Sequence, residues 1–257
     1  MRSPRLTRLL ASYARHPWRA RIEQVLAEDA IEMVFQPIVV LATGERAGFE
    51  ALARFPSVPG ERPDAWFRNA AKVGLAEDLE LLAVRTALAE LSRLPAACFI
   101  SINLSPSVLG NPRLLDLIDS TEADRVILEL TEHAVVEDYH VFGAAVTLLR
   151  ERGVELAVDD AGAGYASLRH ILNLRPGLIK LDMSLTRDIH TDPARRALAS
   201  GLQGFAVSLD AQVVAEGIES EAELEELKGI GIELGQGYLL GKPAPLERSA
   251  AWGASAA

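Results

Sequence analysis

The sequence predicts an α/β protein built as a (β/α)8 barrel in which one strand runs against the others. Three observations predict it. Eight short apolar segments have strand character, longer stretches of helical periodicity separate most of them, and one pair alone is joined by a short link. In order, the strand candidates are Met33 to Val40, Arg46 to Phe55, Cys98 to Leu104, Val126 to Thr131, Glu155 to Asp159, Leu178 to Asp182, Gln212 to Glu216 and Leu234 to Leu240. The first two are linked by Leu41-Ala42-Thr43-Gly44-Glu45, which suits an antiparallel hairpin, whereas parallel neighbours need a crossover of about a dozen residues or more. An open doubly wound sheet is the alternative arrangement.

The helix candidates are Pro63 to Val73, Glu77 to Leu94, Pro106 to Ser120, Val135 to Arg152, Ala166 to Asn173, Pro193 to Leu209 and Glu221 to Gly229. Thr191-Asp192-Pro193 offers a cap and an N1 proline, and Ser220 followed by Glu223 matches a capping box. The stretch from Ala244 to Ala257 reads as frayed. One domain is therefore drawn at residues 20–246, with a basic segment at 1–19 and a tail at 247–257.

The chain has 257 residues, of which 49% are hydrophobic and 24% charged, enough for a sizeable core. Its net charge of −10 argues against a DNA or RNA partner, since such proteins usually present a basic face. The single cysteine, Cys98, reads as a small buried hydrophobe. No segment is apolar enough to span a membrane or to serve as a signal-peptide core, so the expected compartment is cytoplasmic. Arg2, Arg5, Arg8, Arg15, Arg19 and Arg21 precede the first acid, Glu23. Leu6, Leu9, Leu10 and Tyr13 could form one face of a basic helix there that touches a membrane surface or an acidic partner, but a solvated linker or a helix docked on the body is the preferred reading.

In such a barrel the site lies at the C-terminal rim of the strands. Polar residues end strand after strand here: Glu50, Asn103, Glu129, Asp159, Asp160, Lys180, Glu216 and Gln236. Carboxylates and an amide are hard ligands for Mg2+ or Mn2+, and His16, His133, His140, His170 and His190 do not cluster at strand ends, which argues against zinc. The neighbouring charges of Asp159 and Asp160 repel unless a cation lies between them, and both can serve one site only if the chain leaves the strand at that point. Lys180 is either a salt-bridge partner or a group that neutralises a phosphate oxygen or orients a water. Five acids with Asn103 exceed the needs of one Mg2+, implying two ions, as in phosphoester cleavage, where they lie roughly 3.5–4 Å apart.

Glu50-Ala51-Leu52 followed by Arg54 resembles the signature of EAL domains, bacterial phosphodiesterases specific for cyclic di-GMP (c-di-GMP). Around it, in the family's order, stand Gln36-Pro37-Ile38, Asn103-Leu104-Ser105, Glu129-Leu130-Thr131-Glu132, Asp159-Asp160, Gly162, Gly164-Tyr165, Lys180-Leu181-Asp182, Ala215-Glu216-Gly217-Ile218-Glu219 and Gln236-Gly237-Tyr238. The resemblance implies a modified TIM (β/α)8 barrel with one antiparallel strand, hydrolysis of c-di-GMP to pGpG, and a homodimer. It assigns Glu50, Asn103, Glu129, Asp159, Asp160 and Glu216 to two ions, with Glu216 as base or as ligand. Lys180 and Gln236 would act at the water. Gln36, Arg54, Asp182 and Glu219 would contact substrate, and Glu132 would anchor the loop after the aspartate pair.

This chain departs from the family in that loop, with Ala161 for Phe, Ala163 for Thr and Ala166 for Ser. No metal ligand is lost by these changes. A catalytically weak or inactive c-di-GMP receptor is the second reading. A barrel glycosidase is the third; it fits poorly, because aromatics are only 5% and Trp18, Trp66 and Trp252 lie away from the strand ends, so a sugar platform is missing.

Overall fold

The computed structural model describes residues 16–57, 60–130, 139–161 and 171–251. They fall into two compact units, one formed by the segments up to Met33 and Ala53–Ala89, the other by Val34–Leu52 and the chain from Glu90 onward.

The first unit carries three helices, α1 (Pro17–Glu28), α2 (Pro63–Val73) and α3 (Ala76–Leu88). Helix α1 is absent from the sequence expectation. Only Ile22 and Val25 of it are buried, too few to stand out among its arginines. The His16 side chain accepts from the Trp18 backbone N–H at its start, and Asp29 closes it at a φ of 51°. Arg19 reaches the Val73 carbonyl at 3.1 Å. Phe55 stacks on the fully buried Trp66 at 4.5 Å, Trp18 meets the same ring edge-on at 5.1 Å, and Leu79 and Leu82 complete the cluster. These aromatic contacts contribute beyond plain area burial.

The strands β1 (Glu32–Val40), β2 (Arg46–Arg54), β3 (Phe99–Leu104), β4 (Val126–Leu130), β5 (Glu155–Ala161), β6 (Leu178–Leu181), β7 (Gln212–Ala215) and β8 (Leu234–Gly235) close into a barrel in sequence order. The ladders from β2 to β8 are parallel, and β1 is antiparallel to β8, with Val39 opposite Gly235. The reversed strand is the one its short link predicts, and closure excludes the open sheet. Strand β8 is shorter than expected, because residues 236–240 leave the ladder as a turn.

Barrel interior positions follow the alternation of each strand. Ile38, Ile127, Ala157, Leu178, Val214 and Leu234 form one buried apolar cluster, with Phe99 packed against it. Gly48 makes room for that ring, since a Cβ there would fall 2.4 Å from it. Two residues further along the same faces stand Gln36, Glu129, Asp159, Lys180, Glu216 and Gln236. A dry layer thus floors a polar one.

Outside the barrel lie α4 (Pro112–Asp119), α5 (Tyr139–Arg150), α6 (Met183–Thr186), α7 (Pro193–Ser208), α8 (Glu221–Ile230) and α9 (Leu246–Ala251). The expected helix from Pro106 to Ser120 is broken. Pro112 forces Asn111 into an extended conformation (φ −72°, ψ 125°), and Asn111 caps α4 instead. Both caps read from sequence form: Asp192 accepts from Ala194 and Arg195, and Ser220 with Glu223 makes a reciprocal capping box.

The expected fraying from Ala244 onward is corrected through residue 251. Phe35 and Ala244 exchange backbone hydrogen bonds at 2.7 and 3.1 Å, and α9 follows. The buried Ser249 donates to the Phe35 carbonyl, while Arg46 donates to the Ser249 carbonyl at 3.1 Å. These links satisfy backbone groups of β1 that would otherwise lack partners.

Candidate active site

Lys180 organises the polar layer. It is 1% exposed, and its Nζ lies 2.7 Å from Glu216, 2.8 Å from Glu129, 3.4 Å from Glu50 and 3.7 Å from Asp159. One ammonium therefore serves carboxylates brought by β2, β4, β5 and the end of β7. Burial alone would lower its pKa, but these four negative charges overcome that and hold it well above the ordinary lysine value.

The carboxylates respond unequally. Burial raises the Glu129 carboxyl to about 8 against the pull of Lys180, with Glu50 and Asp159 adding repulsion. Glu216 is raised to about 7, again chiefly by burial. Burial also pushes Glu50 upward, yet Lys180 and hydrogen bonds from Gln236 and Asn103 leave it below the ordinary value. One positive charge is too little for the whole set.

An amide chain continues the network from Glu50. Asn103 donates to Glu50 at 2.8 Å, and the Gln236 Nε2 donates to Glu50 at 2.6 Å and to Gln36 at 2.9 Å. Gln36 in turn donates to the Gly241 carbonyl at 3.1 Å. The Gln236 Oε1 is buried, and no described group donates to it.

Asp159 and Asp160 share one side of the barrel by a route the sequence does not reveal. The chain does not leave the strand. Instead β5 continues to Ala161 with a bulge, since Val158 faces Ile179 but Ala161 already faces Leu181, and Asp160 takes a φ of 56°. That extra residue brings oxygens of Asp159, Asp160 and Glu216 within 4.8 Å of one another. Asp160 also donates its backbone N–H to the Asp159 carboxylate at 2.9 Å. Hard oxygens this close, partly open to solvent and short of positive charge, fit a hard divalent cation.

Backbone links hold the loops that carry Glu216 and Gln236. Gln236 donates to the Ala215 carbonyl at 2.8 Å and Ile218 donates to the Gln236 carbonyl at 3.1 Å. Gly237 has to be glycine for this approach, because a Cβ would fall 2.2 Å from the Ile218 backbone.

Other expected positions have partners of their own. Asp182 caps α6 through the Ser184 backbone N–H, and Glu219 meets Arg187 at 3.5 Å on the surface. Arg54 donates to the Ala53 carbonyl at 2.9 Å. Ala161 is fully buried and accepts from the Asp182 backbone N–H. Glu132 and the loop positions Ala163 and Ala166 lie outside the described residues. Among the described residues of the network, one buried polar side chain escaped sequence reading: Ser101 donates to Glu129. Its signal was present, since it stands two residues before Asn103 on the same strand face.

The family model of the EAL domain matches residues 19–243. The chain belongs to the EAL domain family. Over 236 residues it is 33% identical to a protein of Pseudomonas aeruginosa named cyclic di-GMP phosphodiesterase, covering 88% of this chain and 40% of that one. Among solved EAL-type structures, the phosphodiesterase PaMucR in complex with c-di-GMP is 28% identical with a TM-score of 0.79, covering 91% of this chain and 99% of that chain. Klebsiella pneumoniae BlrP1 in complex with manganese and c-di-GMP is 32% identical with a TM-score of 0.76, covering 84% and 56%. This EAL chain spans 30% to 46% of the length of such curated relatives. Among its described residues no helix is long and apolar enough to cross a membrane.

Proposed function

We propose that this EAL domain, drawn at residues 20–246, hydrolyses c-di-GMP to linear pGpG with two Mg2+ or Mn2+ ions and so lowers the level of the second messenger. The observation that carries the reading is Lys180 within 4 Å of four carboxylates from four strands, beside the Asp159-Asp160-Glu216 cluster. A site that needs more positive charge than its own lysine supplies is suited to divalent cations and a phosphodiester. Relatives named as c-di-GMP phosphodiesterases and neighbours complexed with c-di-GMP support the substrate.

In this reading Glu50, Asn103, Glu129, Asp159, Asp160 and Glu216 hold the ions. When bound, the ions supply Lewis-acid charge to the phosphate and ease ionisation of the attacking water. Lys180, already close to Glu216 and Glu129, donates a hydrogen bond to the water or to a phosphate oxygen as negative charge develops there. Glu216 takes the water's proton or remains a ligand, and Gln236 holds the water through its amide. The water oxygen joins phosphorus, the bond from phosphorus to O3′ breaks, and a proton ends on that oxygen. Arg54 is suited to a phosphate by its planar fork, with Gln36, Asp182 and Glu219 as further substrate contacts and Glu132 as loop anchor.

Incubation with c-di-GMP and Mg2+ or Mn2+, followed by chromatography with and without EDTA, tests the reading. The expected result is pGpG that disappears with EDTA. Binding without pGpG at stoichiometric enzyme would sink hydrolysis and leave a receptor; turnover that survives EDTA would sink the metal assignment.

A further inference from the structure

Ser101 is a hydroxyl in a place where an apolar side chain would be the less costly choice. On β3 it stands between Phe99, which packs against the apolar floor, and Asn103 in the polar layer. Its ladder partner on β4 is Ile127, a member of that floor, and its partner on β2 is Glu50. It is 1% exposed. A hydroxyl hidden there costs free energy unless it is hydrogen-bonded, and its oxygen donates to Glu129 Oε1. The other Glu129 oxygen, Oε2, accepts from Lys180 at 2.8 Å.

Glu129 is thus fixed from two directions. Lys180 is shared with three further carboxylates, so its hold on Glu129 changes with whatever charge enters the site. The Ser101 bond comes from the opposite end of the carboxylate, out of the floor, and no other described carboxylate takes it. We propose that Ser101 is a positioning residue for cation binding: it anchors Glu129 Oε1 and so sets which oxygen of that carboxylate is presented to the ion. The inference rests on the two-cation reading above. Groups that orient a metal-binding carboxylate typically change metal affinity by roughly 10–100-fold when removed.

The test uses the full chain and Mn2+ as probe, with affinity read by calorimetry in the absence of c-di-GMP. Ser101→Ala and Ser101→Val remove the hydroxyl, while Ser101→Thr keeps it at nearly the volume of valine. Thermal melting in EDTA reports folding of each variant. Expected is a roughly tenfold or greater loss of Mn2+ affinity in the Ala and Val variants and affinity near the parent in the Thr variant. In turnover the loss falls on kcat rather than on KM for c-di-GMP. Parental Mn2+ affinity in Ser101→Ala overturns the proposal, as does a folded Ser101→Thr that binds no better than Ser101→Val. If the β-branched pair does not fold, Ser101→Ala against the parent decides alone. Failure of the parent itself to bind Mn2+ would instead strike the two-cation reading.

Discussion

Glu129 and Glu223 both expose little surface, at 1% and 4%, and burial pushes both carboxyls upward, more strongly for Glu129, which lies deep in the barrel whereas Glu223 lies near the surface. They nevertheless end on opposite sides of the ordinary value. Glu223 accepts backbone N–H groups of Asp188, Glu219 and Ser220 at 2.9, 2.9 and 3.0 Å, uncharged donors fixed by the chain, and is held below 4.5. Glu129 has one hydroxyl and a share in one ammonium, faces Glu50 and Asp159, and is raised to about 8. A carboxylate surrounded by enough donors serves the fold. One left short of positive charge is raised instead, and gains from any cation that enters.

The largest effect separating the two environments concerns chemistry. Glu50→Ala removes a carboxylate from the lysine-centred set and is expected to reduce pGpG formation to background; full activity by chromatography would break the metal assignment. Next comes Lys180→Met. Removing the ammonium leaves four carboxylates crowded, two of them (Glu50 and Glu129) buried, at an expected cost of about 3–5 kcal/mol in the metal-free protein. Melts in EDTA and in Mn2+ should show part of that loss recovered by the ion, and equal destabilisation in both would contradict the role of Lys180 as the set's own counter-charge.

Acidity sharpens the contrast. Because the folded-state pKa of Glu129 lies above 4.5, the folded chain retains a proton that the unfolded chain has already released. Stability of the metal-free protein therefore falls as pH rises from about 4.5 towards about 8, with Glu216, raised to about 7, acting in the same sense. Glu129→Gln in EDTA should flatten that slope, and an unchanged slope would show that Glu129 is not its source. Glu223 has the opposite sign. Its contribution is complete above 4.5 and is lost as pH falls through its depressed folded value. The smallest expected effect is Glu223→Ala, about 1–3 kcal/mol by denaturant melts near neutral pH, from backbone donors left without an acceptor. No loss of stability would mean that water replaces the carboxylate without penalty.

The regular parts of the fold were legible because they are local. Period-two apolar runs marked the strands, polar residues closing those runs marked the rim, and the link from Leu41 to Glu45 marked the reversed strand. Helix α1 was not legible, since only Ile22 and Val25 of it are buried. Nor was α9, because the groups that secure Ser249 belong to Phe35 and Arg46, about two hundred residues earlier. Asp182 shows how one residue carries two signals: a polar group ending a strand, which the structure also uses as a helix cap.

The sequence by itself determined the succession of eight strands, the reversal at their first link and the residue types that end them, because side-chain alternation and link length are properties of neighbouring residues; that the sheet closes was decided by the tertiary structure. Only the tertiary structure decided how those groups share space. The bulge that turns Asp160 towards Asp159 and Glu216 exists as a mismatch of register between β5 and β6. The four-way claim on Lys180 needs four strands closed into one ring. Both depend on distances across the barrel, which no stretch of sequence contains.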